Sequence, residues 1–173
     1  LNGIPGTIGG ALRMNAGAFG HEAWDNVAYV TIVNKKGELV KLHRSKFDFS
    51  YRKVSMKKIL AFIDVYFKIN KKTKFKPGLL EKYNKDRKNS QPINQWSSGC
   101  IFKNPKKNIS ASALIDDLGG EKRKYGGIYI SNKHCNYFIN DGSGSCSDLE
   151  KLINIIKKEI YKKHKINLEK EIC

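Results

Sequence analysis

The sequence predicts an α+β fold, and three observations carry that prediction. Short runs rich in Val, Ile, Tyr and Phe, bounded by Gly, Asn and Asp, fall at 27–33, 38–42, 58–69, 127–131 and 137–140, which is the pattern of strands. Near the C-terminal end Leu149, Leu152, Ile153, Ile156 and Ile160 recur three and four residues apart, so they line one face of a helix. Between these groups the composition shifts over 70–92, where lysines cluster. A domain boundary is expected there, because boundaries fall in polar, exposed stretches.

The elements follow in chain order. Residues 1–20 hold Gly3, Gly6, Gly9, Gly10, Gly17 and Gly20, a density that implies tight turns and close backbone approach. The spacing is neither a P-loop nor a dinucleotide fingerprint after a strand. It reads equally as a backbone N–H cradle for phosphate and as a structural turn. Val27 to Val33 is a strand, Asn34-Lys35-Lys36-Gly37 a turn, and Glu38 to Leu42 the returning strand. An aromatic-rich stretch, Phe47 to Arg52, precedes the strand at 58–69. Pro77 is placed to open a short helix from Gly78 to Lys88. Ser110 is an N-cap for a helix through Leu114, Ile115 and Leu118, stopped by Gly119-Gly120. Gly127 to Ser131 and Tyr137 to Asn140 are strands, and Ser147 with Glu150 forms a capping box for the last helix.

Composition excludes several classes. A hydrophobic fraction of 40% supports a core, which argues against wholesale disorder. No apolar run approaches the roughly 18–20 residues of a membrane span, so no membrane partner is expected. The net charge of +17 invites a nucleic-acid reading. Yet Lys35, Lys57, Lys71, Lys106 and Lys157 are scattered, and no arginine–aromatic face emerges. A lysine-, asparagine- and isoleucine-rich surface of AT-rich coding accounts for the charge, and no nucleic acid is expected. Cys100, Cys135, Cys146 and Cys173 form no CxxC pair, and the histidines lack ligand spacing. No metal is expected, and the cysteines read as cytosolic thiols.

Five blocks carry a resemblance. They are Gly3-Ile4-Pro5-Gly6-Thr7-Ile8-Gly9-Gly10-Ala11 continuing to Asn15-Ala16-Gly17-Ala18; Tyr51-Arg52; Ser98-Gly99-Cys100-Ile101-Phe102-Lys103-Asn104-Pro105, preceded by Gln91-Pro92; Ser131 to Asn140, with Lys133-His134-Cys135-Asn136-Tyr137; and Ile166 to Ile172. In this order they resemble the shorter subtype of the UDP-N-acetylenolpyruvoylglucosamine reductase family. There the third block reads Ser-x-Phe-Lys-Asn-Pro and the fourth Lys-His-Ala-Asn-Phe.

The resemblance implies a C-terminal part of a PCMH-type FAD-binding domain over 1–72, a linker with a short helix over 73–90, and an α+β substrate-binding domain over 91–173. It implies FAD and NADPH as cofactors and UDP-N-acetylglucosamine enolpyruvate as substrate. It also implies a cytoplasmic location and a monomer. Gly3, Pro5, Gly6, Thr7, Gly9, Gly10, Asn15 and Gly17 would contact FAD. Arg52 would meet the negative charge that develops when hydride adds beside a carboxylate. Cys100 stands where well-known members have a proton-donating serine. A thiol with an ordinary pKa of about 8.5 is mostly protonated at neutral pH, so it is expected to serve as the donor. Glu171 would assist protonation. Tyr51, Lys103, Asn104 and Asn136 would contact substrate.

From the residues alone plainer readings stay open: a surface arginine, a small core cysteine, a solvated glutamate in a charged tail, turn residues at Lys103 and Asn104, a strand-edge amide at Asn136. His134 reads as structural. Lys124 sits at the family's usual arginine place, with Arg123 beside it, so the role of that arginine is open. A chain opening on Leu inside a glycine-rich loop reads as a fragment, expected to hold FAD weakly by itself. The alternatives are another flavin oxidoreductase of the same superfamily and an inactive truncated remnant.

Overall fold

In a computed structural model the chain is described over residues 6–55, 57–69 and 76–172. It divides into two compact units, Leu1–Leu80 and Glu81–Cys173. Both mix helix and strand, so the α+β expectation holds.

The first unit opens with helix α1, Ile8–Arg13. Thr7 caps it by accepting a hydrogen bond from the Gly10 N–H at 3.1 Å, as N-cap threonines do. Strands β1, Gly17–Ala18, and β2, His21–Glu22, form a small hairpin. The main sheet is built from β3, Val27–Asn34, and β4, Leu39–His43. The turn between them is tied by Asn34 Oδ1, which accepts from the N–H groups of Lys36 and Glu38. A second hairpin, β5, Phe49–Ser50, and β6, Lys53–Val54, carries Tyr51-Arg52 at its tip. Strand β7, Ile59–Phe67, completes the sheet in the order β4-β3-β7, all antiparallel.

Strict alternation fails along β3, since Val27 and Val30 are both buried. The register slips between Val27 and Tyr29 opposite β7, and a bulge of that kind turns the next side chain to the other face. Trp24 sits at the centre of this core with no exposed surface. Its ring stacks on Phe49 at 5.0 Å, and its indole N–H donates to Leu12 O at 2.9 Å. A buried indole needs such a partner.

The second unit begins within helix α2, Leu79–Ser90. This helix starts one residue after the expected Gly78, which takes φ +76° in the preceding turn. Helix α3, Ala111–Asp116, is capped by Ser110. It ends sooner than the expected Leu118, and Gly119 turns the chain at φ +66°. Strands β8, Lys124–Tyr125, β9, Ile128–Ile130, and β10, Phe138–Asn140, form an antiparallel sheet in the order β10-β9-β8.

The last helix, α4, Cys146–His164, buries Leu152, Ile153, Ile156 and Ile160, as its spacing predicts. Its capping box is Ser145 with Asp148, not the expected Ser147 with Glu150. Asn140 Oδ1 accepts from the N–H groups of both Gly142 and Gly144, so the chain has already turned by Ser145. Gly127 is required here for space. A Cβ on it would stand 2.3 Å from Gly144 N. Arg123 packs on α4 and pairs with Glu159 at 2.7 Å, while Lys124 faces Asp141 at 3.6 Å. That gives Arg123 a place in the fold.

Candidate active site

In the first unit the hairpin tip fixes Arg52. Its φ is +52°, a left-handed conformation that costs a non-glycine residue about 1–2 kcal/mol. The guanidinium donates to Gly17 O at 3.0 Å and to Asn15 O at 3.3 Å, and it lies over the Tyr51 ring at 5.0 Å. Backbone strain of this sort persists where surroundings over-determine a residue, and it gathers at functional sites. Arg52 is therefore a cation of fixed position rather than a surface tether.

The glycine-rich loop separates into two kinds of glycine. A Cβ on Gly10 would meet only Thr7 Oγ1, at 3.5 Å, and one on Gly9 would come no closer than 3.8 Å. The chain's own packing thus has room for a side chain at both, and their bare backbone suits a ligand that approaches closely. Gly17 is different. A Cβ there would stand 2.6 Å from His21 O and 3.2 Å from Arg52 Nη1, so its smallness serves the packing around Arg52.

Asn15 is wholly buried. Its amide donates to Glu22 Oε2 at 2.7 Å and Ser50 O at 3.0 Å, and its Oδ1 accepts from Trp24 N at 3.4 Å. Expected at the cofactor, it ties Glu22, Ser50 and Trp24 together, and its carbonyl accepts from Arg52. Gly3 and Pro5 lie outside the described residues.

In the second unit the stretch 100–103 is gripped on both sides. On one side Cys100 bridges Tyr137, and Ile101 N donates to Asn136 O at 2.9 Å. On the other side Phe102 bridges Lys170, Lys103 N donates to Glu169 O, and Glu171 N donates to Ile101 O at 2.8 Å. Asn136 clamps the middle. Its Oδ1 accepts from Phe102 N at 2.9 Å, and its Nδ2 donates to Phe102 O at 2.7 Å.

Asn136, expected to contact substrate, is 2% exposed and holds this segment through both ends of its amide. Both polar ends of its amide are committed to buried backbone, where an unmade hydrogen bond is costly. Lys103 Nζ pairs with the exposed Glu169 at 2.5 Å. Asn104 Oδ1 accepts from Ala111 N at 3.0 Å, at the start of α3.

The pairing brings Cys100, Tyr137 and Glu171 together. Burial first, then the charge Cys100 carries when ionised, pushes the Tyr137 hydroxyl up to about 12. Glu171 acts in the same direction and Arg87 of α2 against it, and the hydroxyl hydrogen-bonds to Cys100. Tyr137 and Arg87 are the members sequence reasoning missed. Tyr137 has the strand pattern of any aromatic residue, and Arg87 lies in a lysine-rich helix that offers no signal.

The His134 ring packs edge-on against Tyr137 at 4.9 Å, and its Nδ1 accepts from Asn136 N. Burial holds its imidazole below the ordinary value, which agrees with a structural role. Beside this cluster lies a cleft of about 660 Å³, lined by Lys88, Gln91, Pro92, Gln95, Asn132 and Lys133. Its lysines suit an anion. A hollow of about 420 Å³ holds Asp116, His134 and Cys135. Cys135 donates to Asp116 Oδ1, and burial followed by the Asp116 charge raises its thiol to about 11, which makes it inert. Neither space is lined by Cys100.

Residues 1–43 match the FAD binding domain family, and residues 91–173 match the C-terminal domain of UDP-N-acetylenolpyruvoylglucosamine reductase. Curated relatives agree. The UDP-N-acetylenolpyruvoylglucosamine reductase of Coxiella burnetii (strain Dugway 5J108-111) is 39% identical over 175 aligned positions, covering 98% of this chain and 54% of the relative. The enzyme of that name from Aquifex aeolicus is also 39% identical, covering 99% and 58%. The one from Pelagibacter ubique is 40% identical, covering 98% and 57%. The crystal structure of the UDP-N-acetylenolpyruvylglucosamine reductase of Thermus caldophilus superposes with a TM-score of 0.77 at 28% identity, covering 98% of this chain and 60% of that one. The chain thus spans a little over half the length of the relatives it matches. By its two matched domains and its similarity along nearly the whole chain, it belongs to the UDP-N-acetylenolpyruvoylglucosamine reductase family.

Proposed function

We propose that the protein reduces UDP-N-acetylglucosamine enolpyruvate to UDP-N-acetylmuramate, a peptidoglycan precursor. FAD would mediate the reduction and NADPH would supply the electrons, in the cytoplasm and as a monomer. The observation that carries the reading is the gripped strand 100–103, which sets Cys100 and Glu171 on adjoining segments around one hydroxyl. It lies in a unit whose family match is to this reductase.

The outward glycine backbone at Gly6, Gly9 and Gly10, with Thr7 beside it, fits a flavin that must lie close to main chain. When bound, FAD supplies the hydride that goes to the enolpyruvyl group. The chain's own residues do the rest. Arg52 meets the charge that grows on the substrate carboxylate, held at its post by Asn15 O and Gly17 O. Cys100 gives its proton to the neighbouring carbon. Glu171 assists that transfer. Lys103, exchanging Glu169 for a phosphate, joins Asn104 and Tyr51 in holding substrate.

The test is product analysis in deuterated water with the FAD-loaded protein, NADPH and the enolpyruvyl substrate. UDP-N-acetylmuramate carrying one solvent deuterium is expected. Cys100→Ala should lower its rate of formation by about 10²–10⁴-fold, the usual scale of a general acid. Full activity in Cys100→Ala would remove the proposed donor. NADPH consumption that ignores the enolpyruvyl sugar would remove the function.

A further inference from the structure

We infer that Tyr137 is a positioning residue for the protonation step: it holds the Cys100 sulfur and stabilises the thiolate left when Cys100 gives up its proton. The inference rests on the reductase reading and deepens it. Three observations carry it. The isolated bridge between Cys100 and Tyr137 sets the two residues side by side on adjoining segments. The Tyr137 ring is fixed, 9% exposed and packed edge-on against His134 at 4.9 Å. Its hydroxyl is hydrogen-bonded to the Cys100 thiol.

The step balances as follows. The S–H bond of Cys100 breaks and its proton goes to the substrate carbon, whose enolate electron pair forms the new C–H bond. Sulfur keeps the S–H pair and becomes a thiolate. The Tyr137 O–H bond stays intact throughout and donates a hydrogen bond to that sulfur. Solvent later returns a proton to Cys100. A donor already aimed at the atom where charge appears costs no reorganisation at the moment of reaction. The tyrosine keeps its proton at working pH, since burial, joined by the sulfur's charge once the proton has left, holds it up at about 12.

Groups that act on this pair include Arg87 from α2, Glu171 from the C-terminal segment and His134. Arg87 favours negative charge here and Glu171 opposes it. His134 is held toward its neutral form by burial.

The experiment is Tyr137→Phe in the FAD-loaded protein. The variant removes one oxygen and keeps the ring against His134. Two readouts are taken. The first is the Cys100 titration, from the pH dependence of its alkylation, read by mass at the Cys100 peptide without substrate. It should move up by about one pH unit, the scale of one lost charge-assisted hydrogen bond. The second is turnover. The maximal rate should fall about tenfold with little change in KM, and the alkaline limb should move to higher pH with the thiol. In a Cys100→Ala background Tyr137→Phe should cause no further loss. An unchanged Cys100 titration would overturn the inference, and so would an equal loss of rate in the Cys100→Ala background. The titration needs no reductase activity, so a protein inactive on the enolpyruvyl sugar would sink the function while still answering for Tyr137.

Discussion

Arg52 and Asn136 represent two ways in which a single side chain is held in place, one in each unit. Arg52, the proposed cation, is anchored by two carbonyls of the 15–17 loop. A lysine offers a flexible point charge in place of a planar fork. Arg52→Lys is therefore expected to lower the maximal rate by about 10²–10³-fold, measured by steady-state kinetics, with flavin content unchanged. Asn136 is the frame. Asn136→Ala leaves the buried N–H and C=O of Phe102 without partners, at about 1–3 kcal/mol for each group. Urea denaturation should show that loss, and an unchanged midpoint would contradict the clamp. At this scale the sequence was a partial guide. Cys100, Lys103, Asn104 and Glu171 are visible by resemblance. The inward turn of Asn15 and Asn136 is not, because an amide in a loop or strand has the same letter whether it faces a ligand or the backbone.

Among the elements, α4 was the most legible. Its apolar residues recur at helical spacing over a long stretch, and all four of Leu152, Ile153, Ile156 and Ile160 are buried. Its start was less legible, because Ser145, Ser147, Asp148 and Glu150 offer rival capping pairs and the turn at 140–144 decides between them. Ser145→Ala should cost about 1 kcal/mol at neutral pH, read as a lower melting midpoint. Hydrogen bonds from the Ser145 N–H and hydroxyl hold the Asp148 carboxyl below its ordinary 3.8. A folded value below the unfolded one means stability that is present above pH 4 or so and lost as pH falls through the folded value. The gap between Ser145→Ala and its parent should therefore narrow on acidification below that range. The strands were located well, but β3 hides a bulge that no alternation pattern announces. The segment gripping Cys100 is held by isolated bridges and a side chain instead of a regular ladder, so it gives no periodic signal at all.

At the scale of the molecule, each unit has its own core. One is centred on Trp24 with Val27, Val30 and Ile32, the other on Ile101, Phe102, Ile115, Ile130 and the buried face of α4. Ile156 is fully buried in the second, and Ile156→Ala is expected to cost about 2–5 kcal/mol, followed by the helical circular-dichroism signal in urea. The charge of +17 is spread over scattered lysines. No helix among the described residues is long and apolar enough to cross a membrane. The α+β class was readable from periodicity alone, since it depends on local patterns. The chemistry was readable only by resemblance and not from periodicity, because Cys100, Tyr137 and Glu171 come from three separate segments of the second unit and meet only through its fold.

Cys100 is proposed to protonate an enolpyruvyl group reduced through a flavin. One measurement reaches it directly. The FAD-loaded protein is reduced with NADPH without oxygen, UDP-N-acetylglucosamine enolpyruvate is added, and the flavin absorbance is followed. Rapid return of oxidised flavin, with slower release of finished product in Cys100→Ala, is the expected result. A flavin that stays reduced after the enolpyruvyl sugar is added would contradict the account.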